Sequence, residues 1–225
     1  MIKYAFDRFL AAVALVVLMP ILAVILIAVR IDSSGPGLFR QIRIGRDGRA
    51  FTIYKFRTMV NGAGRMADVS PEGDPRITRA GRVLRRWYLD ELPQLYNVLR
   101  ADMSLVGPRP ETPEYVALYT LDERRILTLR PGVVGPSTLG FMDEADRLAA
   151  ADDPAGYYAS VLLHERVRLD LDYLRRRSLS YDIALLAKQA WAIVAGALRK
   201  VSPTNLNDHE QHTRVREAGR GGGSY

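Results

Sequence analysis

Two adjacent carboxylates, Asp90 and Glu91, stand immediately before a helical pattern that Pro93 opens. Two arginines precede them, and a rigid Gly-Pro-Arg-Pro turn at residues 107–110 follows the helix. A helix start with carboxylates, guanidinium groups and outward-pointing backbone N–H groups can hold a phosphate, a metal ion or both. The same spacing also fits a simpler role, because Asp commonly caps helices and Glu in the first turn complements the helix dipole.

Two further cations lie upstream of the carboxylates. Segments 38–44 and 49–59 predict short strands, and the Asp-Gly step at 47–48 between them predicts a hairpin. Side chains alternate along a strand, so Lys55 and Arg57 share one face of the second strand. This face either binds phosphate or forms the solvated edge of an exposed strand.

The composition limits the class of protein and of site. With 225 residues and 48% hydrophobic content the chain can form one sizeable domain with an appendage. The net charge of +7 favours anionic partners such as lipid head groups, nucleotides or nucleic acid. The absence of cysteine excludes disulfides and thiolate metal sites, and His164 is expected to be a core or surface residue rather than a ligand.

An uncharged apolar run covers residues 9–29, about the length that crosses a bilayer core. The run is too long for a typical signal peptide and is not followed by a cleavage site. Pro20 lies at its middle, frees the carbonyl of Val16 and favours a kink. Positive charge flanks both ends, so charge gives no orientation. A kinked, re-entrant helix with both ends in the cytoplasm fits these facts, and a simple kinked span is the alternative.

The rest of the chain predicts mainly helices. Thr78 is expected to cap a helix over 79–89, residues 120–123 form a capping box, and a long helix is expected over 154–177. The helix after the carboxylates is expected to bury Leu92, Leu95, Tyr96 and Leu99. Residues 60–75 predict a mobile loop, and residues 133–141 an extended or looped stretch.

A last amphipathic helix is expected to start at Asp182 as its cap. Its apolar stripe either packs on the domain or lies at a membrane surface beside Trp191. The stripe consists of Ile183, Leu186, Ala190, Ile193, Val194 and Ala197.

Four longer motifs follow one another along the chain. They are YKFRTM (54–59), DPRITRAGRVLR (74–85), LDELPQLYNVLRADMSLVGPRPE (89–111) and RPGVVG (130–135). In these motifs the chain, up to about residue 198, resembles the bacterial sugar transferases, the monotopic phosphoglycosyl transferases that begin glycan assembly on a lipid carrier. The resemblance implies transfer of a sugar 1-phosphate from a UDP-sugar to polyprenol (undecaprenyl) phosphate, with release of UMP.

The resemblance also implies roles for individual residues. Asp90 would be the nucleophile of a ping-pong reaction through an aspartyl phosphosugar, and Glu91 would help to bind the required Mg²⁺. The candidates for contact with the substrate phosphates or nucleotide are Lys55, Arg57, Arg85, Arg109 and Asp170. Taken singly, each arginine is as readily explained as a surface charge.

The chain departs from the family pattern at two places. Many members have Ser before the proline that breaks the membrane helix, whereas this chain has Met19, which cannot satisfy the freed carbonyl. The segment at 131–144 lacks the usual glutamine and arginine, with Thr138 and Met142 near those places. The substrate contacts and the sugar preference at this segment are therefore left open.

Together these patterns predict a helix-rich α+β protein of the bacterial inner membrane. A membrane helix (1–32) anchors a cytoplasmic catalytic domain (33–200) that carries a short hairpin and interfacial amphipathic helices, and a polar, disordered tail (201–225) follows. The expected partners are a UDP-sugar, polyprenol phosphate and membrane lipid, without nucleic acid; the oligomeric state is open.

Two alternative functions remain. A catalytically silent scaffold for polysaccharide assembly is disfavoured because the chain retains both carboxylates. A membrane-anchored nucleic-acid-binding protein is disfavoured because this chain has no stacking aromatics interleaved with its basic residues.

Overall fold

The computed structural model describes residues 2–62 and 73–201, with side chains described up to residue 195. Nearly all of the predicted polar tail and most of the predicted loop at 60–75 lie outside these residues. The helices are α1 (Ile2–Asp32), α2 (Arg79–Arg86), α3 (Gln94–Leu99), α4 (Pro113–Ala117), α5 (Pro136–Gly140), α6 (Glu144–Ala149), α7 (Pro154–Tyr157), α8 (Leu163–Arg176) and α9 (Leu179–Val201). The strands are β1 (Leu38–Ile44), β2 (Ala50–Phe56), β3 (Ser104–Val106) and β4 (Gly132–Val134). This is the expected helix-rich α+β architecture.

Helix α1 is assigned as one helix across Pro20, and it is long and apolar enough to cross a membrane. Both of its ends are nevertheless attached to the domain. Near the N-terminus, the Nε of Arg8 donates to the carbonyl oxygen of Leu99 (3.0 Å). At the C-terminus, the carboxylate of Asp32 accepts from the backbone N–H of Ala80 (2.8 Å). Much of the apolar surface between these ends faces outward.

A buried polar cluster fixes the start of α1 against α9 and β3. Lys3 lies between two carboxylates, 3.3 Å from Asp7 and 2.6 Å from Asp182. The hydroxyl of Ser104 donates to Asp7, and that of Tyr173 donates to Asp182 (2.6 Å). Asp182 is therefore not the cap of the last helix, as expected from the sequence, because α9 already begins at Leu179 and uses this carboxylate for the cluster.

The predicted hairpin is present, and it is fastened to α3. Strands β1 and β2 are antiparallel, with Leu38 opposite Phe56, and Asp47 in the turn has a left-handed backbone (φ 57°). The side chain of Asn97 donates to the carbonyl oxygen of Thr52 (2.7 Å) and accepts from the N–H of Tyr54 (3.2 Å). Because Asn97 is fully buried, these two bonds set the position of α3 on the hairpin.

The buried face of α3 differs from the expected one. Gln94, Asn97 and Val98 are buried, whereas Tyr96 is 43% exposed and meets the ring of Tyr54 edge-on. Leu92 and Leu95 are half-buried and pack against core residues, as the apolar spacing predicts. Tyr96 is the exception, because the buried amide of Asn97 lies at the centre of this face.

Strands β3 and β4 form a parallel pair that the sequence does not indicate. The stretch at 133–141, expected to be extended or looped, is extended up to Val134 as the end of β4 and then forms α5, a helix that the sequence did not predict. Each strand has three residues, too few to show an alternating pattern. The pair holds the Gly-Pro-Arg-Pro turn, since the N–H of Gly107 donates to the carbonyl oxygen of Val134 (2.9 Å).

Two predicted caps are confirmed. The hydroxyl of Thr78 accepts from the N–H of Gly81 at the start of α2 (3.0 Å). Thr120 and Glu123 make both reciprocal bonds of a capping box, although the segment they start, Glu123–Thr128, is a 3₁₀ helix. The expected long helix after residue 153 is α7 and α8 joined by a π-helical stretch, Tyr158–Leu162.

Helix α9 presents part of its apolar stripe outward. Leu185 and Gln189 face the domain and are buried. Ile183, Trp191 and Val194 are exposed by 55%, 73% and 48%. Packing on the domain therefore accounts for only one side of this helix.

Gly81 is expected to tolerate no side chain, because a Cβ there would overlap the backbone carbonyl of Thr58. We expect Gly81→Ala to cost about 2–3 kcal/mol and to lower the apparent melting temperature by roughly 4–12 °C. The control is Gly48→Ala, where the new Cβ would meet no described atom within 4 Å. Because Gly48 has a left-handed backbone (φ +73°), we expect this variant to lose about 1 kcal/mol of folding stability. Equal losses of stability in the two variants would contradict the predicted overlap with the carbonyl of Thr58.

Candidate active site

An open cavity of about 880 Å³ lies between the C-terminal end of α1, the hairpin, α2 and α6. The chain brings most of the predicted site residues to its wall, although they are far apart in sequence. These residues are Lys55, Arg57, Arg85, Asp90, Glu91 and Arg109. Asp170 is the exception, since it is buried behind the wall.

The two carboxylates lie in a 3₁₀ turn, Leu89–Glu91, that a left-handed residue, Tyr88 (φ 55°), introduces. Helix α3 begins only at Gln94, and its N-cap position is Pro93, which makes no side-chain cap bond. The simpler interpretation of Asp90 and Glu91 as helix caps is therefore wrong. Both face the cavity instead.

Lys55 on β2 is the direct partner of Glu91, with its Nζ 2.7 Å from Oε1. Both side chains are largely buried, with 19% and 15% exposed. Burial raises the pKa of Glu91, but the charges of Lys55 and Arg109 outweigh it and hold this pKa below its ordinary value. Glu91 is therefore a carboxylate at neutral pH.

Asp90 has the opposite shift. Burial and the negative charge of Glu91 raise the pKa of Asp90 to about 6, although Lys55 and Arg85 oppose them. Arg85 is held beside the site because its Nε donates to the hydroxyl of Thr58 (2.9 Å). A carboxylate that is poorly solvated but still ionised at neutral pH is suited to nucleophilic attack.

Arg109 enters the cavity from the Gly-Pro-Arg-Pro turn. Burial lowers the pKa of its guanidinium, but the charges of Glu144, Glu91 and Glu111 outweigh burial and raise it above the ordinary value. The group therefore stays charged, and a charged guanidinium that lines a cavity can bind an anion.

Asp170 positions this turn rather than facing the cavity. Its carboxylate accepts from the N–H of Arg109 (3.0 Å) and from the hydroxyl (2.9 Å) and N–H (3.3 Å) of Ser137. Burial raises the pKa of Asp170 to about 7, while these bonds lower it. With 2% of its surface exposed, Asp170 joins the turn to α5 and α8 and does not reach a ligand in the cavity.

Arg57 also differs from its expected role as a phosphate ligand. Its guanidinium donates to the carbonyl oxygens of Ser33 (2.6 Å) and Ser34 (2.5 Å), just after α1. Only 6% of the residue is exposed. Arg57 therefore holds the backbone just after the C-terminal end of α1, at the cavity wall.

Three charged residues near the site were missed by sequence reasoning: Glu111, Glu144 and Arg166. Arg166 is 5% exposed and forms ion pairs with both carboxylates. Its position within the long helix looks like one more surface charge, so the sequence carries no signal for it. Glu111 ends a recognised motif, and Glu144 is the last residue of the divergent segment at 131–144.

The carboxylates present fit a magnesium ion that is shared with a substrate. Within residues 2–62 and 73–201 no three His, Cys, Asp or Glu residues form a cluster that would enclose a metal by themselves. Mg²⁺ commonly takes one or two carboxylates, substrate phosphate oxygens and water. Glu91, with Asp90 beside it, supplies such a set at the cavity wall. His164 lies elsewhere and pairs with Glu123 (2.7 Å).

The chain matches the family model of the bacterial sugar transferases over residues 1–196. It is 38% identical to the undecaprenyl-phosphate glucose phosphotransferase of Komagataeibacter xylinus, over 82% of this chain and 34% of that protein. It is 37% identical to the UDP-glucose:undecaprenyl-phosphate glucose-1-phosphate transferase of Escherichia coli (strain K12), over 83% of this chain and 39% of that protein. It is 36% identical to an exopolysaccharide production protein of Rhizobium leguminosarum bv. phaseoli, over 82% of this chain and 91% of that protein.

The chain thus spans little more than a third of the first two relatives and most of the third. The match covers both the membrane helix and all the residues of the cavity wall. The chain belongs to the bacterial sugar transferase family.

Proposed function

We propose that the chain is a phosphotransferase that moves a sugar 1-phosphate from a UDP-sugar to polyprenol (undecaprenyl) phosphate and releases UMP. Two relatives are named as undecaprenyl-phosphate glucose transferases, and a third as an exopolysaccharide production protein. The product would start the assembly of a bacterial glycan.

One observation carries this proposal: an ionisable carboxylate pair and a fixed arginine share a cavity that reaches the end of the membrane helix. Leu26 and Arg30 of α1 line the same cavity as Asp90, Glu91 and Arg109. A soluble nucleotide sugar and the phosphate of a membrane lipid can therefore meet at one site. A binding scaffold would not need the nucleophile at this place.

In the first step, an oxygen of Asp90 attacks the phosphorus that bears the sugar. The bond between this phosphorus and the UMP oxygen breaks, UMP leaves, and the sugar phosphate remains on Asp90 as an acyl phosphate. Arg85 and Arg109 face the negative charge that develops on the phosphate oxygens. In the second step, a phosphate oxygen of the polyprenol attacks the same phosphorus, and Asp90 is released as a carboxylate.

Mg²⁺ is the proposed cofactor, and Glu91 is the residue that would hold it. When bound, the ion would screen the negative charge of the diphosphate from the nucleophile and stabilise the leaving group. Lys55 keeps Glu91 ionised in the absence of a metal and orients its carboxylate toward the cavity. Chelation is expected to abolish UMP release, and added Mg²⁺ to restore it.

We propose that α1 enters and leaves the membrane on the cytoplasmic side. A straight helix of 31 residues would measure about 46 Å, more than the bilayer core. The contacts of Arg8 and Asp32 attach both ends of α1 to one domain. If that domain stays on one side of the membrane, both ends of α1 must be there as well. The outward apolar side chains of α9, and Trp87 just after α2, would then contact the interface between lipid and water.

The absence of cysteine makes this topology directly testable. Single cysteines at Ile2 and Ile31, which are 86% and 81% exposed, are both expected to react with a membrane-impermeant maleimide in inverted inner-membrane vesicles. Neither is expected to react in intact spheroplasts, and a cysteine at Met19 should be protected in both preparations. Labelling of one end from each side would show a true span.

The pH dependence should follow the ionisation of Asp90. Attack requires the carboxylate, so kcat/KM for the donor is expected to fall about tenfold per pH unit below a pKa of about 6. Bound Mg²⁺ would shift this acidic limb of the profile of kcat/KM against pH to lower pH. Lys55→Met should shift it to higher pH, because the Lys55 charge lowers the pKa of Asp90. A limb unaffected by Lys55→Met would contradict this coupling.

The proposed reaction is tested by UMP release from purified protein, Mg²⁺ and undecaprenyl phosphate with a panel of UDP-sugars. We expect release that depends on the metal and is sustained only with the lipid. If no UDP-sugar released UMP under these conditions, the proposal would be wrong.

A further inference from the structure

A third carboxylate lines the cavity that holds Asp90 and Glu91. Glu144, the first residue of α6, lines the cavity with Ala145 and Leu148, and its side chain is 18% exposed. Its charge acts on both Arg109 and Tyr88, so it lies close to the groups around the carboxylate pair. The proposed chemistry gives this acid no role.

Glu144 is held rigidly. Its Oε2 forms an ion pair with Nη2 of Arg166, which is 5% exposed. The guanidinium of Arg166 lies 5.3 Å from the ring centre of Phe141 and 5.8 Å from that of Tyr158. Its Nη1 donates to the hydroxyl of Tyr158 (3.3 Å). An arginine held by two aromatic rings and a hydroxyl group restricts the position of the carboxylate that it binds.

The placement of Glu144 agrees with a position beside the donor sugar. If Arg109 faces the diphosphate and Asp90 attacks its sugar-bearing phosphorus, the sugar lies within a few ångströms of both groups. Glu144 lies on the cavity wall beside Arg109, and its Oε1 makes no hydrogen bond or ion pair within the described part of the chain. An ionised carboxylate accepts hydrogen bonds from hydroxyl groups and repels a second carboxylate.

We propose that Glu144 determines which donor sugar is used, accepting hydrogen bonds from the hydroxyl groups of a neutral sugar and excluding uronic acids. This inference rests on the proposed transferase reaction and adds a substrate class to it. It also gives a physical consequence to the divergent segment at 131–144, because Glu144 is the last residue of that segment.

The test compares kcat/KM for the best neutral donor, chosen among UDP-glucose, UDP-galactose and UDP-N-acetylhexosamines, with that for UDP-glucuronate. The wild type should favour the neutral donor at least 100-fold. Glu144→Gln, which keeps an oxygen for Arg166, should reduce this ratio at least tenfold, mainly through a higher KM for the neutral donor. Glu144→Asp, which keeps the charge, should stay within about threefold of the wild-type ratio.

The matched control is Glu165→Gln, which removes a carboxylate that is 45% exposed and pairs with Arg147 outside the cavity (3.0 Å). It should leave the ratio unchanged. A wild type that uses UDP-glucuronate as well as a neutral donor would overturn the inference, whether or not the variants fold. So would equal losses on both donors in Glu144→Gln, which would indicate a structural role alone. A wild type inactive with every donor would instead overturn the transferase reaction, and this inference with it.

Discussion

Asp90→Asn is expected to lower the rate of UMP release at least about 10³-fold, because an amide cannot attack phosphorus to form the intermediate. The fold should remain intact. The raised pKa of Asp90 means that its ionised form is disfavoured in the folded protein, so at pH 7 this group costs stability rather than supplying it. The variant should therefore melt at or above the wild-type temperature while it loses activity.

The control for this loss is Asp172→Asn on α8. Asp172 is 50% exposed and pairs only at the surface with Arg175 (3.4 Å), so its removal should change neither rate nor stability appreciably. Both variants would be assayed for UMP release and followed by thermal denaturation in the same detergent. Turnover by Asp90→Asn at more than a tenth of the wild-type rate would contradict a nucleophilic role.

Glu111→Gln is expected to produce the largest loss of stability. The carboxylate is 4% exposed and faces three guanidinium groups, those of Arg43 (3.4 Å), Arg109 (3.8 Å) and Arg166 (4.0 Å). The hydroxyl of Tyr158 also donates to it (2.8 Å). Removal of this negative charge breaks buried ion pairs with all three arginines, which typically costs about 3–5 kcal/mol. For a chain of this size the apparent melting temperature should fall by roughly 6–20 °C.

The comparison is Asp122→Asn, which removes a carboxylate that is 61% exposed from an ion pair with Arg125 (2.8 Å). An exposed pair of this kind contributes less than about 1 kcal/mol. If both variants shifted the melting temperature equally, the buried cluster around Glu111 would not be a major source of stability.

Local sequence signals predicted the parts of the fold that depend on neighbouring residues. The Asp-Gly turn placed the hairpin, and Thr78 marked the start of α2 through a bond to a residue three positions away. These interactions depend on residue types at fixed short spacing. The pairing of β3 with β4 and the burial of Asn97 depend on segments more than 25 residues apart, for which the chain carries no local pattern.

The candidate site divides in the same way. Asp90 and Glu91 were identified because they lie in one long motif, and the structure adds that neither caps a helix. Asp170 was identified by resemblance, but its contact with the backbone of Arg109 is visible only in the fold. Glu144 and Arg166 carry no signal in the sequence, because charged residues on helices usually face solvent.

The membrane attachment shows how the fold constrains function. The apolar run alone permits a span or a re-entrant helix. The structure attaches Lys3 and Arg8 at one end, and Asp32 at the other, to a single domain. The cavity lies at the second of these ends, since Leu26 and Arg30 line it. Under the proposed function, a site placed there would receive the lipid phosphate without withdrawing the lipid from the membrane.

The central claim is that Asp90 carries the sugar phosphate as a covalent intermediate. A reaction that contains the UDP-sugar but no lipid acceptor tests this claim most directly. The protein would be incubated with its UDP-sugar and Mg²⁺, without polyprenol phosphate, and digested with trypsin. We predict one burst of UMP and a sugar-phosphate adduct on the peptide 87–100, and undecaprenyl phosphate added before digestion should remove this adduct. Release of UMP only when lipid is present, with this peptide unmodified throughout, would show direct transfer between the two substrates and contradict the claim.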